Sequence, residues 1–454
     1  MNIWGLQKWM REGIIHTKNI VDSNEIVTVD KSPESVTFDT THIPTRASGP
    51  TDITKVVGNS AVKIVDALVS HGYWAKVSDV HIDPREGGLM VRMRIDGILQ
   101  DVYTIPVSLH SEIISRIKVM ASLRIDEHYM PHDGRFRSTI VDTNAVSRGD
   151  AYVDVRVSIT PTYHGENAVL RLLTNTSDAN GLAELGLDER DQHIIMRSLR
   201  NTHGMILATG PTGSGKTTTL YTLLQLLNTP DVSIITLEDP IEYAIRGVRQ
   251  IQVNPTIGFT FGTGLRAVVR QDPDIVMVGE VRDTETAKLA VNTALTGHLV
   301  LSSIHTNDAV STVVRLLDMG VEPYLIASTL SLVIGQRLIR TLCKGCKEIA
   351  ILTPDEILLV SKMFPAMVLS HGPQFYRGRG CGECLGTGYR GRIGVYELLV
   401  LDERLRSHII ERASVDMLRT CAIDSGMRPM IDDALRKAIR GVTSIGEVLR
   451  LIHE

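Results

Sequence analysis

Gly210-Pro-Thr-Gly-Ser-Gly-Lys-Thr217 sets three glycines, a lysine and a hydroxyl in the order G-x-x-x-x-G-K-T. Glycines let consecutive backbone N–H groups turn inward around a phosphate, and a helix beginning at the end of such a loop adds its partial positive charge. Lys216 is then placed to reach the β and γ phosphates of a nucleotide, and the Thr217 hydroxyl to ligate Mg2+. Gly210, Pro211, Thr212, Gly213, Ser214, Gly215, Lys216, Thr217 and Thr218 are the expected nucleotide-binding residues. Hydrolysis at such a loop needs one acid to hold Mg2+ and one to orient the attacking water. Glu280 is expected at the metal and Glu238 at the water. Each alone reads as a helix cap or a surface acid, but both follow short apolar runs that read as strands of one sheet. His298 and His305 bracket a third such run, Leu299–Ser303, and both are expected near the γ-phosphate edge, where a histidine is otherwise most often structural.

A second chemistry lies in the cysteines. Four of the five form two C-x-x-C pairs, Cys343-Lys-Gly-Cys346 and Cys381-Gly-Glu-Cys384. Four thiolates suit tetrahedral Zn2+, and with no histidine beside them the site reads as structural rather than catalytic. A redox role would need one reactive pair at the start of a βαβ unit. Leu352–Val368, between the pairs, reads as a helical excursion, and Cys421 as a buried free thiol on a helix.

The elements that must position these groups follow from periodicity. Met205–Thr209, Ser233–Leu237, Ile275–Val278 and Leu299–Ser303 are short apolar runs with helix-like stretches between the first two and the last two. That pattern predicts a parallel sheet covered by helices, with ligands at the carboxyl ends of its strands. Upstream, Ile53–Ser70 is helix-like, while Leu89–Ile95 and Val153–Ser158 alternate apolar and polar residues as half-buried strands do. The expected organisation is an extension and linker at 1–52, an α/β domain at 53–173, a linker at 174–184, the phosphate-loop core at 185–342, a tetracysteine subdomain at 343–390 and a helical C-terminus at 391–454.

Composition sets the class. The chain of 454 residues is 43% hydrophobic and 22% charged, ordinary for a globular protein of several domains. No run of about 18 apolar residues is present and the N-terminus lacks a signal-peptide core, so a cytoplasmic location is expected. A formal net charge of −4 disfavours a nucleic-acid partner.

Four boxes in order then carry a resemblance: Gly210–Thr217, Ile235-Thr-Leu-Glu-Asp-Pro-Ile-Glu-Tyr243, Arg270-Gln-Asp-Pro-Asp-Ile-Val-Met-Val-Gly-Glu-Val-Arg-Asp283 and Gly297-His-Leu-Val-Leu-Ser-Ser-Ile-His-Thr306. They resemble the Walker A, Asp box, Walker B and His box of the secretion ATPases, the GspE/PilB group of type II secretion and type IV pilus motors. Ser78-Asp-Val-His-Ile-Asp-Pro84, Val91-Arg-Met-Arg-Ile-Asp-Gly97, Pro131-His-Asp-Gly-Arg135 and the cysteine pairs extend the likeness over roughly 55–454. The resemblance implies an α/β fold: a PAS-like N-terminal domain, a RecA-like P-loop domain with a zinc-binding insertion, and a helical end. It implies ATP, Mg2+ and Zn2+ as cofactors. It implies a homohexamer at the cytoplasmic face of the inner membrane that moves an inner-membrane platform protein. Arg135 and Arg156 match arginines that the family's N-terminal domain lends to a neighbour's nucleotide; Arg266, Arg270 and Arg282 match arginines of its ATPase domain. The four cysteines are a mark of the group's assembly motors and set the chain apart from its retraction motors. A DNA-uptake or conjugation translocase is the alternative of another class, disfavoured by the charge balance. A non-hydrolysing scaffold is disfavoured by the two glutamates, a GTPase by the missing N-K-x-D motif, and an ABC protein by the missing L-S-G-G-Q signature.

The first fifty residues are too few for a domain with its own core. Ile3, Trp4, Leu6, Trp9, Met10, Ile14 and Ile15 nevertheless form a dense apolar set, and residues 1–15 are expected to dock as a helix on a membrane-anchored partner.

Overall fold

The computed structural model describes residues 51–140, 151–173, 181–363 and 374–453. The expected docking helix at 1–15 and the Val141–Asp150 segment lie outside them.

Alternation builds the first sheet. In β3 (Gly88–Ile95), Leu89, Val91 and Met93 are buried while Met90, Arg92 and Arg94 stand on the half-open face. The same two-sided pattern runs through β5 (His132–Ile140), β6 (Ala151–Thr162) and β7 (Gly165–Leu173) and, interrupted by register shifts at Ser78 and Val102, through β2 (Val77–Arg85) and β4 (Ile98–Ile105). With β1 (Thr51–Asp52) they form a sheet in the order β1-β4-β3-β2-β7-β6-β5, antiparallel except where β1 meets β4. The apolar face is covered by α2 (Ala61–Trp74) and α3 (His110–Met120), whose Ile64, Leu68, Ile113 and Ile117 are fully buried. Each such side chain contributes about 1.5–3 kcal/mol by leaving water. The expected helix at Ile53–Ser70 is two helices, α1 (Thr54–Val57) and α2, because Gly58 takes φ +79° between them.

The second sheet is built from continuous apolar runs, as strands covered on both faces require. Its order is β10-β9-β11-β12-β8-β13-β16, with β8 (Gly204–Thr209), β9 (Ile234–Glu238), β10 (Arg249–Gln252), β11 (Ile275–Val278) and β12 (Leu299–Ile304) parallel to one another. Every residue of β8, β9, β11 and β12 is buried. One face packs on α4 (Glu189–Ser198) and α5 (Lys216–Leu227), the other on α6 (Phe261–Val268), α7 (Thr284–Leu295), α8 (Ala309–Asp318) and α9 (Pro323–Thr329).

Two expected boundaries move. β13 (Leu330–Leu342) is parallel to β8, and it pairs antiparallel with β16 (Tyr389–Val400) over Leu332–Leu342. The sheet therefore takes back the chain after the cysteine insertion, and the region expected to be a helical C-terminus from 391 begins as a core strand. Helices α11 (Glu403–Ile410), α12 (Val415–Asp424), α13 (Met430–Ile439) and α14 (Ile445–His453) follow it. Within the expected linker at 174–184, Leu182 is 5% exposed and belongs to the ATPase core. The insertion itself holds a two-stranded sheet, β14 (Lys347–Ala350) with β15 (Phe375–Gly378), and α10 (Pro354–Met363), within the expected excursion. Cys421 is buried on α12, as expected.

Candidate active site

β8 ends at Thr209 and the chain turns at Gly210, Gly213 and Gly215, with φ of +145°, +80° and +89°. A Cβ on Gly210 would stand 2.3 Å from the carbonyl oxygen of Gln336, so the loop closes here only with glycine. α5 starts directly from this turn at Lys216. Lys216 Nζ donates to the carbonyls of Gly210 (2.7 Å) and Pro211 (3.1 Å). Burial lowers the lysine's pKa, and Glu280 opposes that shift. Gln336, on β13, braces the loop from below by donating to the Ser214 carbonyl at 2.7 Å. Among the described residues, Ser214 Oγ is buried without a hydrogen-bond partner. A glycine cradle with an ammonium group and an orphaned hydroxyl fits a phosphate.

The parallel register brings acids to the same edge. Val278, the last residue of β11, lies between Leu237 and Ser302. Ser303 Oγ donates to the Gly279 carbonyl at 2.7 Å, and the Val281 N–H donates to the Ser303 carbonyl at 2.8 Å, fixing the turn that carries Glu280. The Glu280 carboxylate pairs with Arg282 and lies 3.4 Å from His305 Nε2. Arg282 also lies 3.8 Å from Asp239. Lys216, Glu280, Arg282 and His305 form one charged cluster at the carboxyl ends of β8, β11 and β12. Burial, then the neighbouring Lys216 charge, lowers the His305 pKa below its ordinary value, against the opposing pull of Glu280.

Glu238 ends β9 but faces a different set of groups. It is 3% exposed. Its Oε1 accepts from Thr236 Oγ1 at 2.6 Å and from Gln250 Nε2 at 3.0 Å, and its Oε2 accepts from the Tyr221 hydroxyl.

His298 is not brought to the site. It precedes β12, and its carbonyl accepts from the N–H of Gly204, the first residue of β8. Parallel strands send all their carboxyl ends to one edge. His298 therefore sits at the opposite edge, roughly 20 Å away across a six-residue strand. Its ring is held by the Thr293 carbonyl at 3.0 Å, which corrects the expectation that it lies near the γ-phosphate. Arg266 pairs with Glu285 at 2.7 Å and Arg270 donates to the Arg266 carbonyl at 2.6 Å. Among the described residues neither contacts the Gly210–Thr217 loop.

Arg135 and Arg156 are directly opposite one another on β5 and β6. The row continues across the sheet to Arg171, Asp79 and Arg94. Asp79 takes the two far arginines, at 2.8 Å and 3.4 Å. Among the described residues, no acid pairs with Arg135 or Arg156.

Tyr221, Gln250, Gln336 and the Thr209 hydroxyl, which donates to the Ile304 carbonyl at 3.1 Å, were not singled out from the sequence. Only the position of Tyr221, five residues after Lys216 on the phosphate helix, could have marked one of them.

The four cysteines converge. Their sulfurs all lie within 4.8 Å of one another. The Cys343–Cys381, Cys346–Cys384 and Cys381–Cys384 sulfur distances are each 3.8 Å. A tetrahedron of sulfurs about 2.3 Å from a central ion has edges of about 3.8 Å. The N–H groups of Gly380, Cys381 and Gly388 point at these sulfurs from 3.2–3.3 Å, as donors to thiolates do. The set can hold a metal ion.

The description "Type II/IV secretion system protein" matches residues 57–450. Type II secretion system protein E of Pseudomonas aeruginosa is 45% identical over 394 residues, covering 87% of this chain and 76% of its own length. The type IV pilus assembly ATPase PilB of Thermus thermophilus is 42% identical over 395 residues, 86% of this chain and 43% of PilB. The solved structure of the Legionella pneumophila ATPase DotB superposes with a TM-score of 0.62 at 21% identity, over 86% of this chain and 95% of that one, and so shares the fold. With the phosphate cradle and its acidic cluster in place over the matched span, the chain belongs to the Type II/IV secretion system protein family and is an ATPase of the kind found in type II secretion and type IV pilus assembly.

Proposed function

We propose that the chain works as a cytoplasmic homohexamer at the inner face of the inner membrane. It hydrolyses ATP to move a platform protein and so assembles a type IV pilus or a type II secretion pseudopilus. The observation that carries this reading is a separation. Lys216, Glu280, Arg282 and His305 gather at one sheet edge, whereas Arg135 and Arg156 stand side by side on another sheet, with no acid paired to either among the described residues. Adjacent, unneutralised arginines repel each other and favour an anionic partner. In a ring, one chain's pair would reach the nucleotide of the next, where guanidinium groups stabilise charge on the transferring phosphoryl group.

In this reading the Gly210–Thr218 residues bind the phosphates, Thr217 and Glu280 would hold Mg2+, and Glu238 orients the attacking water. Bound Mg2+ would neutralise charge developing on the phosphates. Cys343, Cys346, Cys381 and Cys384 would hold one Zn2+ as a structural clamp on the insertion. Among the described residues no helix is long and apolar enough to cross a membrane.

Mixing tests the ring. Lys216→Ala and Arg135→Ala chains should each be inactive. Combined, they should recover hydrolysis at interfaces where an intact phosphate loop meets an intact arginine pair. Absence of recovery under conditions where subunits exchange refutes an arginine donated between subunits.

A further inference from the structure

We propose that Tyr221 is a positioning residue that couples the phosphate-binding helix to Glu238. This deepens the site above and rests on the reading of Glu238 as the group that orients water. The geometry is asymmetric. Oε1 of Glu238 is held by Thr236 on the same strand and by Gln250 on the neighbouring strand β10. Among the described residues, the one hydrogen-bond donor to Oε2 is the Tyr221 hydroxyl, on α5. Two donors from the sheet therefore fix one oxygen, and a donor from the helix fixes the other. The plane of the carboxylate is set by where α5 lies relative to β9.

α5 is also the helix whose first residues, Lys216 and Thr217, belong to the phosphate cradle. A displacement of that helix when the phosphates change would turn the Glu238 carboxylate, because a direct hydrogen bond links the two. Tyr221 is suited to the task. It is fully buried, its ring packs edge-on against Tyr243 at 4.7 Å, and its oxygen accepts from the Glu242 N–H at 3.3 Å. The loop after β9 is thus tied to the same hydroxyl. Burial and the Glu238 carboxylate raise the tyrosine's pKa well above its ordinary value, so the hydroxyl stays a donor at working pH.

Tyr221→Phe keeps the ring and removes only the donor. In the full chain it should lower kcat roughly ten- to a hundredfold, the worth of one hydrogen bond to a charged group. KM for ATP should hardly change, while the melting temperature should fall by a few degrees, because the buried Oε2 loses its donor. Against a Glu238→Gln background, which is itself slow, the same substitution should cost nothing further, because a residue acting through another cannot add to its loss. Wild-type turnover in Tyr221→Phe alongside a slow Glu238→Gln would overturn the coupling and leave the role of Glu238 standing. Independent, additive losses would also overturn it. Wild-type turnover in Glu238→Gln would remove the role of Glu238 and the coupling with it. Should Tyr221→Phe fold poorly, Thr236→Val tests the other oxygen by the same cycle, and additivity with Glu238→Gln there would equally reject a shared carboxylate.

Discussion

Glu280 and His305 leave the carboxyl ends of adjacent parallel strands and meet at 3.4 Å, with Lys216 close enough to perturb the imidazole. The histidine pKa is held below its ordinary value by burial and by Lys216, with Glu280 opposing and Arg282 adding to the lowering. At pH 7 the neutral imidazole predominates, since even an unshifted histidine titrates near 6.5. A neutral imidazole can accept or relay a proton beside the phosphate cradle. Activity should therefore fall on acidification with a midpoint below the ordinary histidine value, as the ring gains a charge that repels Lys216. In His305→Gln the rate should drop and this acid limb should vanish. An unchanged limb in the variant would assign it to another group.

Arg135→Ala and Arg156→Ala should each reduce kcat by about three orders of magnitude, the low end of the range seen when a phosphate-facing arginine is lost. Nucleotide affinity should change little, because Lys216 and the glycine turn carry binding within the chain. Arg171→Ala is the control from the same row: its guanidinium is already paired with Asp79 at 2.8 Å, so turnover should stay near wild type. Loss of activity in all three would point to collapse of the sheet face rather than to two phosphate-facing arginines.

Purified without chelators, the protein should carry one zinc ion per chain, read by elemental analysis. Cys343→Ser should lose it together with thermal stability, since metal binding at such a site is folding energy. Burial raises the Cys346 thiol to about 12. Burial also opposes ionisation of Cys384, yet the N–H groups of Cys381 and Gly388 bring that thiol down to about 7. A divalent ion removes the conflict between thiolates 3.8 Å apart. Metal-free protein with full stability would reject the site.

What could be read from the sequence was what is local. Strand, glycine turn and phosphate helix occupy one continuous stretch, and the four short apolar runs became strands β8, β9, β11 and β12 within a residue of their expected ends. The placement of Glu280 followed, because a parallel sheet sends each strand's carboxyl end to one edge. The same rule, applied strictly, would have excluded His298, which precedes its strand. Long-range partners were not legible. Gln336 braces Ser214 from 122 residues away, and β16 rejoins the sheet only after the cysteine insertion. The Arg135–Arg156 register crosses Val141–Asp150, whose length gives no alignment. The Glu238 network needed β10, a strand of four residues with no apolar run to announce it.

The N-terminal domain contains a pH-sensitive group of its own. His71, on α2, is 1% exposed, and its Nδ1 lies 3.0 Å from the Tyr103 hydroxyl. Burial lowers its pKa to about 4. A neutral buried histidine opposes acid in a definite direction. Between the unfolded value near 6.5 and the folded value near 4, the unfolded chain takes up a proton that the folded chain refuses, so stability falls as pH falls through that window. The full loss is about 3 kcal/mol. Asp191, in the ATPase domain, acts with the opposite sign: burial, with Asp188 and Asp433 nearby, raises its carboxyl to about 6, so it favours the folded state as pH falls. A global melt would blend the two. Hydrogen exchange resolves them, because local openings are read element by element. Amides of α2 and β4 should lose protection between pH 6.5 and 4.5 relative to those of α4. His71→Leu should flatten that dependence, although it also removes the bond to Tyr103 and lowers protection at pH 7. An equally steep loss in His71→Leu would show that the histidine is not the titrating group.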